Sequence, residues 1–85
     1  MKPTEKAEAA IKSLFETMTA EIFSKAGVLK EDYPKEWDEC TKILSMQMAK
    51  CSALYGLTEK RVQVFEKQKQ ALVDDMVKIK KRKLN

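Results

Sequence analysis

Two side chains of this chain are nucleophiles by type, Cys40 and Cys51. Neither has the base a nucleophile needs, because the sequence contains no histidine. The pattern around them predicts one helix carrying both. Eleven residues of helix hold them about 16 Å apart, too far for a disulfide within the chain. No Cys-x-x-Cys pair accompanies them, so a zinc site is not expected. Carboxylates stand side by side at Glu31–Asp32 and Asp74–Asp75, but in polar stretches that would not hold two pKa values apart. Ser-x-x-Lys and phosphate-cradling glycine loops are absent. The expectation is a non-enzymatic protein without cofactor or metal. Two reduced thiols fit a cytoplasmic setting. The opening "MKPTEKAEAA" lacks the apolar run of a signal peptide, and no stretch approaches the length of a membrane span.

What remains as chemistry is cations and amides. The last eight residues, "KIKKRKLN", carry Lys78, Lys80, Lys81, Arg82 and Lys83 and no acid, whereas the first 77 carry a net −1. Basic character is therefore read as a feature of the tail 78–85. Cations there complement a helix C-terminus, and on a nucleic acid they would contact phosphates. A second set, Lys60, Arg61, Gln63 and Lys67, opens the last predicted helix. Lysine and glutamine address phosphates or base edges, and an exposed Val64 among them would meet a thymine methyl.

The elements that must position these groups follow from periodicity. With two glycines and two prolines in 85 residues, the chain reads as long helices in a single domain, 1–85. The first helix is expected over about 5–26, with Thr4 as cap and Gly27 as its stop. Ala7, Ile11, Leu14, Phe15, Met18, Ile22 and Ala26 share one face. The second spans about 35–55 after Pro34, with Trp37, Cys40, Ile43, Leu44, Met48, Cys51, Leu54 and Tyr55 inward. Gln47 lies in that strip, where it needs a partner if buried. The third spans about 59–82, with Val62, Phe65, Leu72, Val73, Met76 and Ile79 inward and Lys69 snorkelling at the seam. Three such helices with short joints imply an all-α antiparallel bundle. The other option is a helical hairpin that completes its core as a dimer. Phe23, Met46, Val64 and Val77 fall outside the apolar faces, and such a set predicts a second contact surface. Phe23, Met46 and Val77 are the expected protein-interface residues.

Ser52 to Phe65 has the ingredients of a helix-turn-helix. Ser52 is the small residue, Gly56 the turn, and Tyr55 and Leu57 flank it. Thr58 is the cap of the next helix, with Leu57 and Val62 forming a staple, and Val62 and Phe65 are the inner anchors. Within it, "GLTEKRVQV" resembles the turn and early recognition helix of the homeodomain family. That resemblance implies a second helix lying in the major groove of DNA. The family continues with a Trp-Phe pair, an adenine-reading asparagine and a phosphate-binding arginine. Here Phe65, Glu66, Gln68 and Gln70 stand at those positions, and glutamine too can pair with adenine.

Two functions follow as expectations. One is a small duplex-DNA-binding protein using Thr58, Lys60, Arg61, Gln63, Val64 and Lys67 in the groove and the basic tail on phosphates. The other is a helical protein–protein interaction or oligomerisation module with no nucleic-acid role.

Overall fold

The computed structural model describes residues 3–84. Helix α1 spans Pro3–Ala26, a 3-10 turn Lys30–Asp32, α2 Pro34–Tyr55 and α3 Glu59–Leu84. This is the expected all-α three-helix bundle, with each helix extended by a residue or two. Asn85 of the basic tail lies outside the described residues; the rest of the tail is the last two turns of α3.

The two corners differ in kind. At the first, Gly27 takes φ 72°. The Val28 amide then donates to Phe23 O at 3.0 Å and the Gly27 amide to Ser24 O at 3.2 Å. This pairing satisfies the orphan carbonyls and folds Val28 back onto Phe23, both buried. Tyr33 precedes α2, and its carbonyl accepts from the Trp37 amide at 3.0 Å, with Pro34 in the first turn. The second corner is bare. Gly56 has φ 61° and ψ −140°, its amide donates to Ser52 O at 3.0 Å, and Leu57 after it is 90% exposed.

The order of neighbours gives the topology. The Thr19 hydroxyl lies 3.0 Å from that of Thr41, so α1 and α2 run antiparallel from the first corner. Cys40 and Ile43 line one small cleft with Leu72 and Met76, and Met48 lines another with Phe65. Helices α2 and α3 thus lie side by side and antiparallel over most of their length. Ile22 meets Val73, so α1 and α3 run parallel.

The core runs from the first corner, where Phe23, Ala26, Val28 and Tyr33 are buried, through Phe15, Ile22, Cys40, Leu44, Val73 and Met76 to Cys51 and Phe65 near the second corner. Phe23, expected outside the apolar face, is a correction: it is 2% exposed. Its ring meets Trp37 edge-on at a centroid distance of 5.0 Å. The inward stripe of α1 rotates toward α2 in its last turns and takes in Thr19 and Phe23, while Ile11 and Leu14, expected inward, are exposed. Every residue from Thr4 to Leu14 is exposed. The first half of α1 therefore reaches past the tightly packed core, and its inward face is only partly covered. The result is flat and open: 45 × 35 × 15 Å, with a radius of gyration of 14.2 Å. A compact chain of this length would have roughly 12 Å.

Candidate interaction surface

The proposed groove-reading residues are positioned by the first turns of α3. Lys60, Gln63 and Lys67 are exposed, as expected. The Lys60 ammonium reaches over the Tyr55 ring, 5.7 Å from its centroid, so the cation is tethered to the second corner. Arg61 is half-buried and lines the cleft that holds Met18, Met48 and Phe65. Val64 is a correction: it is half-buried and packs against the core, so it is not an outward contact. The Thr58 hydroxyl donates to Tyr55 O at 2.7 Å, while the Thr58 carbonyl accepts from the Arg61 amide at 3.1 Å. The threonine side chain therefore closes the end of α2. The expected staple does not form, since Leu57 is 90% exposed and packs on nothing. Ser52 is exposed, so no close helix crossing rests on it.

The tail residues lie at the other end of the bundle. Lys78, Lys81, Arg82 and Lys83 are exposed and Lys80 half-buried. Lys83 donates to Asp32 O at 3.3 Å and stands over the Tyr33 ring at 4.4 Å. Lys80 Nζ sits where a side chain at Gly27 would begin, 3.0 Å from that position. Part of the tail's charge is thus committed to closing the first corner. Of the expected interface residues, Met46 is exposed, whereas Val77 is half-buried against the core and Phe23 is within it. Lys69 snorkels as expected: its ammonium pairs with Glu66 at 3.0 Å and lies 5.8 Å from the Phe65 ring centroid. Gln47 is only half-buried, and no buried side-chain polar atom among the described residues lacks a partner.

Both thiols are free and buried. Burial raises the Cys40 pKa above its ordinary value, against a hydrogen bond from Thr19 that lowers it. Among the described residues no group of three potential metal ligands comes together, and no helix is long and apolar enough to cross a membrane.

The surface that periodicity alone did not reveal is apolar. Ile11 and Leu14 on α1, Leu54 at the end of α2, Leu57 in the corner and Val62 on α3 are all exposed. Leu54, Leu57 and Val62 lie at the second-corner end, and Ile11 and Leu14 on the half of α1 that runs toward it; Met46 on α2 and Leu29 at the first corner are exposed as well. Val62 stands on the same side of α3 as buried Val73, toward α1. It is 54% exposed because the helix it faces lacks cover there. A cleft of about 450 Å³ continues this surface between α1 and α2, with Ile11, Phe15 and Trp37 as its apolar floor and Glu8, Lys12, Asp38 and Lys42 at its rim.

No family model, curated protein or solved structure matches this chain. Its first corner is closed by aromatic and lysine contacts, although Leu29 there is 63% exposed, and its second corner leaves Leu54, Leu57 and Val62 in water. The sequence carried a signal for the exposed half of α1. Ile11 and Leu14 precede the densest apolar part of α1, in a stretch rich in alanine and charge that offers nothing larger to pack beside them.

Proposed function

We propose that this chain is a non-enzymatic protein–protein interaction module and that the second-corner end is its docking surface. The observation that carries the reading is the uncovered face of Ile11, Leu14 and Val62, which lies in line with the core stripes of their own helices. Scattered apolar residues on a surface are ordinary, but apolar residues that extend the core stripes of their helices are what a partner covers. If these residues serve a partner, the fold does not need them. Ile11→Glu with Val62→Glu should then change the urea-unfolding free energy of dilute protein by no more than about 0.5 kcal/mol each. A loss of several kcal/mol would place them in the monomer's own core and remove the reading.

A second reading, duplex-DNA binding, is favoured by one observation. Lys60, Gln63 and Lys67 are exposed together, on a segment whose residues 40–73 carry Lys42, Lys50, Lys60, Arg61, Lys67 and Lys69 against Glu59 and Glu66, a net +4. We rank it second because α2 and α3 lie side by side, whereas a helix-turn-helix crosses at a steep angle to free its second helix. Titration of duplex DNA at two salt concentrations tests it. Binding at low salt that is lost in Lys60→Glu with Lys67→Glu supports it, and no binding at low salt removes it.

A further inference from the structure

We propose that the first-corner end is a separate interaction surface, and that its partner is an anionic lipid bilayer on which this end rests without spanning it. The surface lies at the opposite end of the bundle from the docking face and does not depend on it.

Topology gathers the cations here. Helix α1 ends, α2 begins and α3 ends at this corner. Lys83 donates to Asp32 O, and Lys80 Nζ lies 3.0 Å from where a side chain at Gly27 would begin. The basic tail therefore sits against the corner. Along the corner and within one turn of the helix ends stand Lys25, Lys30, Lys35, Lys81, Arg82 and Lys83. The acids of the same zone are Glu31, Asp32 and Glu36. A second turn adds Lys78 and Lys80 against Glu21, Asp38 and Glu39, and the balance stays positive. Asp74 and Asp75 lie about 12 Å behind Lys83 along α3, beyond a screening length of about 8 Å.

The cations are available to a partner. Among the described residues the salt bridges are Lys12 with Glu16 and Lys69 with Glu66, so none neutralises a cation of this end. Lys30 and Lys83 stand over the Trp37 and Tyr33 rings and are still exposed. Those contacts orient the two ammonium groups without removing them from water.

Leu29 decides between anionic partners. It is 63% exposed, in extended backbone at φ −107° and ψ 144°, between buried Val28 and Lys30. A nucleic-acid backbone attracts the cations and has no use for an apolar side chain set among them. An anionic bilayer takes both: headgroups pair with the lysines, and the boundary of the acyl chains receives the leucine. Lysine stems can lie along that boundary while their ammonium groups stay at headgroup level.

Flotation of the full chain with large unilamellar vesicles tests the proposal. Phosphatidylcholine vesicles with about 30% phosphatidylserine are compared with phosphatidylcholine alone, at about 50 mM and about 500 mM salt. The expected result is binding to the anionic vesicles at low salt that falls at high salt, and none to the neutral ones. Leu29→Ser should weaken it at least about fivefold, and Lys81→Glu with Arg82→Glu at least about tenfold. All three positions are exposed, so the fold does not depend on them. Lys60→Glu with Lys67→Glu, at the other corner, should change binding by less than about twofold. No binding to anionic vesicles at low salt, or equal binding to neutral ones, overturns the proposal. Binding indifferent to Leu29→Ser overturns it too. Duplex-DNA binding without vesicle binding, lost with Lys81 and Arg82 but not with Leu29, would assign this end to nucleic acid instead.

Discussion

The hydroxyls of Thr19 and Thr41 lie 3.0 Å apart at the α1–α2 contact, and Thr19 has no solvent exposure at all. Thr19 is also placed to donate to Phe15 O at 2.9 Å, and Thr41 to Trp37 O at 3.0 Å. Two hydroxyl protons cannot serve three such contacts at once. At any moment one hydroxyl donates back into its own helix while the other either does the same or crosses between helices. The pair is thus satisfied in more than one way, and that redundancy shapes the first prediction.

Thr19→Val keeps the shape and leaves Thr41 able to donate to Trp37 O. Its cost should be about 1 kcal/mol or less, because no buried group is orphaned. A double-mutant cycle with Thr41→Val, read by urea unfolding, should give a coupling of about 0.5–1 kcal/mol. A cost of several kcal/mol for the single change would mean that the hydroxyl carries a bond nothing else replaces.

Phe23 and Met46 were equivalent by angular position in the sequence and differ in the fold. Phe23→Ala removes a fully buried ring from the edge-on contact with Trp37 and should cost about 3–5 kcal/mol. Met46→Ala, at an exposed position, should stay within about 0.5 kcal/mol. Thermal unfolding of the two variants, measured side by side, checks the contrast. Equal effects would contradict the placement of Phe23.

The corners make opposite predictions about space and backbone. A side chain at Gly56 would meet no atom within 4 Å, yet φ 61° with ψ −140° is a conformation open almost only to glycine. At Gly27 the nearest atom is a mobile lysine end, and φ 72° closing an α-helix belongs to the left-handed region. Gly56→Ala should therefore cost more, about 1–3 kcal/mol, than Gly27→Ala, about 1 kcal/mol. Urea unfolding of both variants orders them, and the reverse order would show that contact with Lys80 outweighs backbone strain.

Cys40 ties stability to alkaline pH. Its folded pKa is raised above the ordinary 9.0, first by burial, so the unfolded chain loses the proton earlier. Its contribution is fully present below pH 9 and declines as pH rises from there toward the folded value. Comparing the pH dependence of unfolding free energy with that of Cys40→Ala should show a steeper alkaline fall in the unaltered chain. Parallel curves would contradict the shift.

Periodicity located the three helices, Gly27 as the first stop and Lys69 at the seam, because each depends on local sequence. It misplaced Phe23, Ile11 and Leu14 on α1, Leu54 on α2, and Val62 and Val64 on α3, and for the α1 residues the reason is shared. An angular count treats each helix as facing one fixed direction along its whole length. Here the inward direction of α1 turns toward α2 near Thr19, and its first half is only partly covered, Ile11 and Leu14 being 54% and 51% exposed. Where α1 ceases to be covered depends on how three helices meet, which no single stripe encodes. Thr58 shows the same limit at smaller scale. Its residue type fits the start of α3, but the backbone at Gly56 turns the hydroxyl back to the end of α2.

The claim on which the functional account rests is that the apolar face of Ile11, Leu14 and Val62 is spare surface for a partner and no part of the chain's own packing. Side-chain footprinting of dilute full chain with a small carbene probe measures this at the residues themselves. The account predicts labelling of Ile11, Leu14 and Val62 as strong as that of exposed Met46. Protection of those three to the level of buried Leu44 would contradict it.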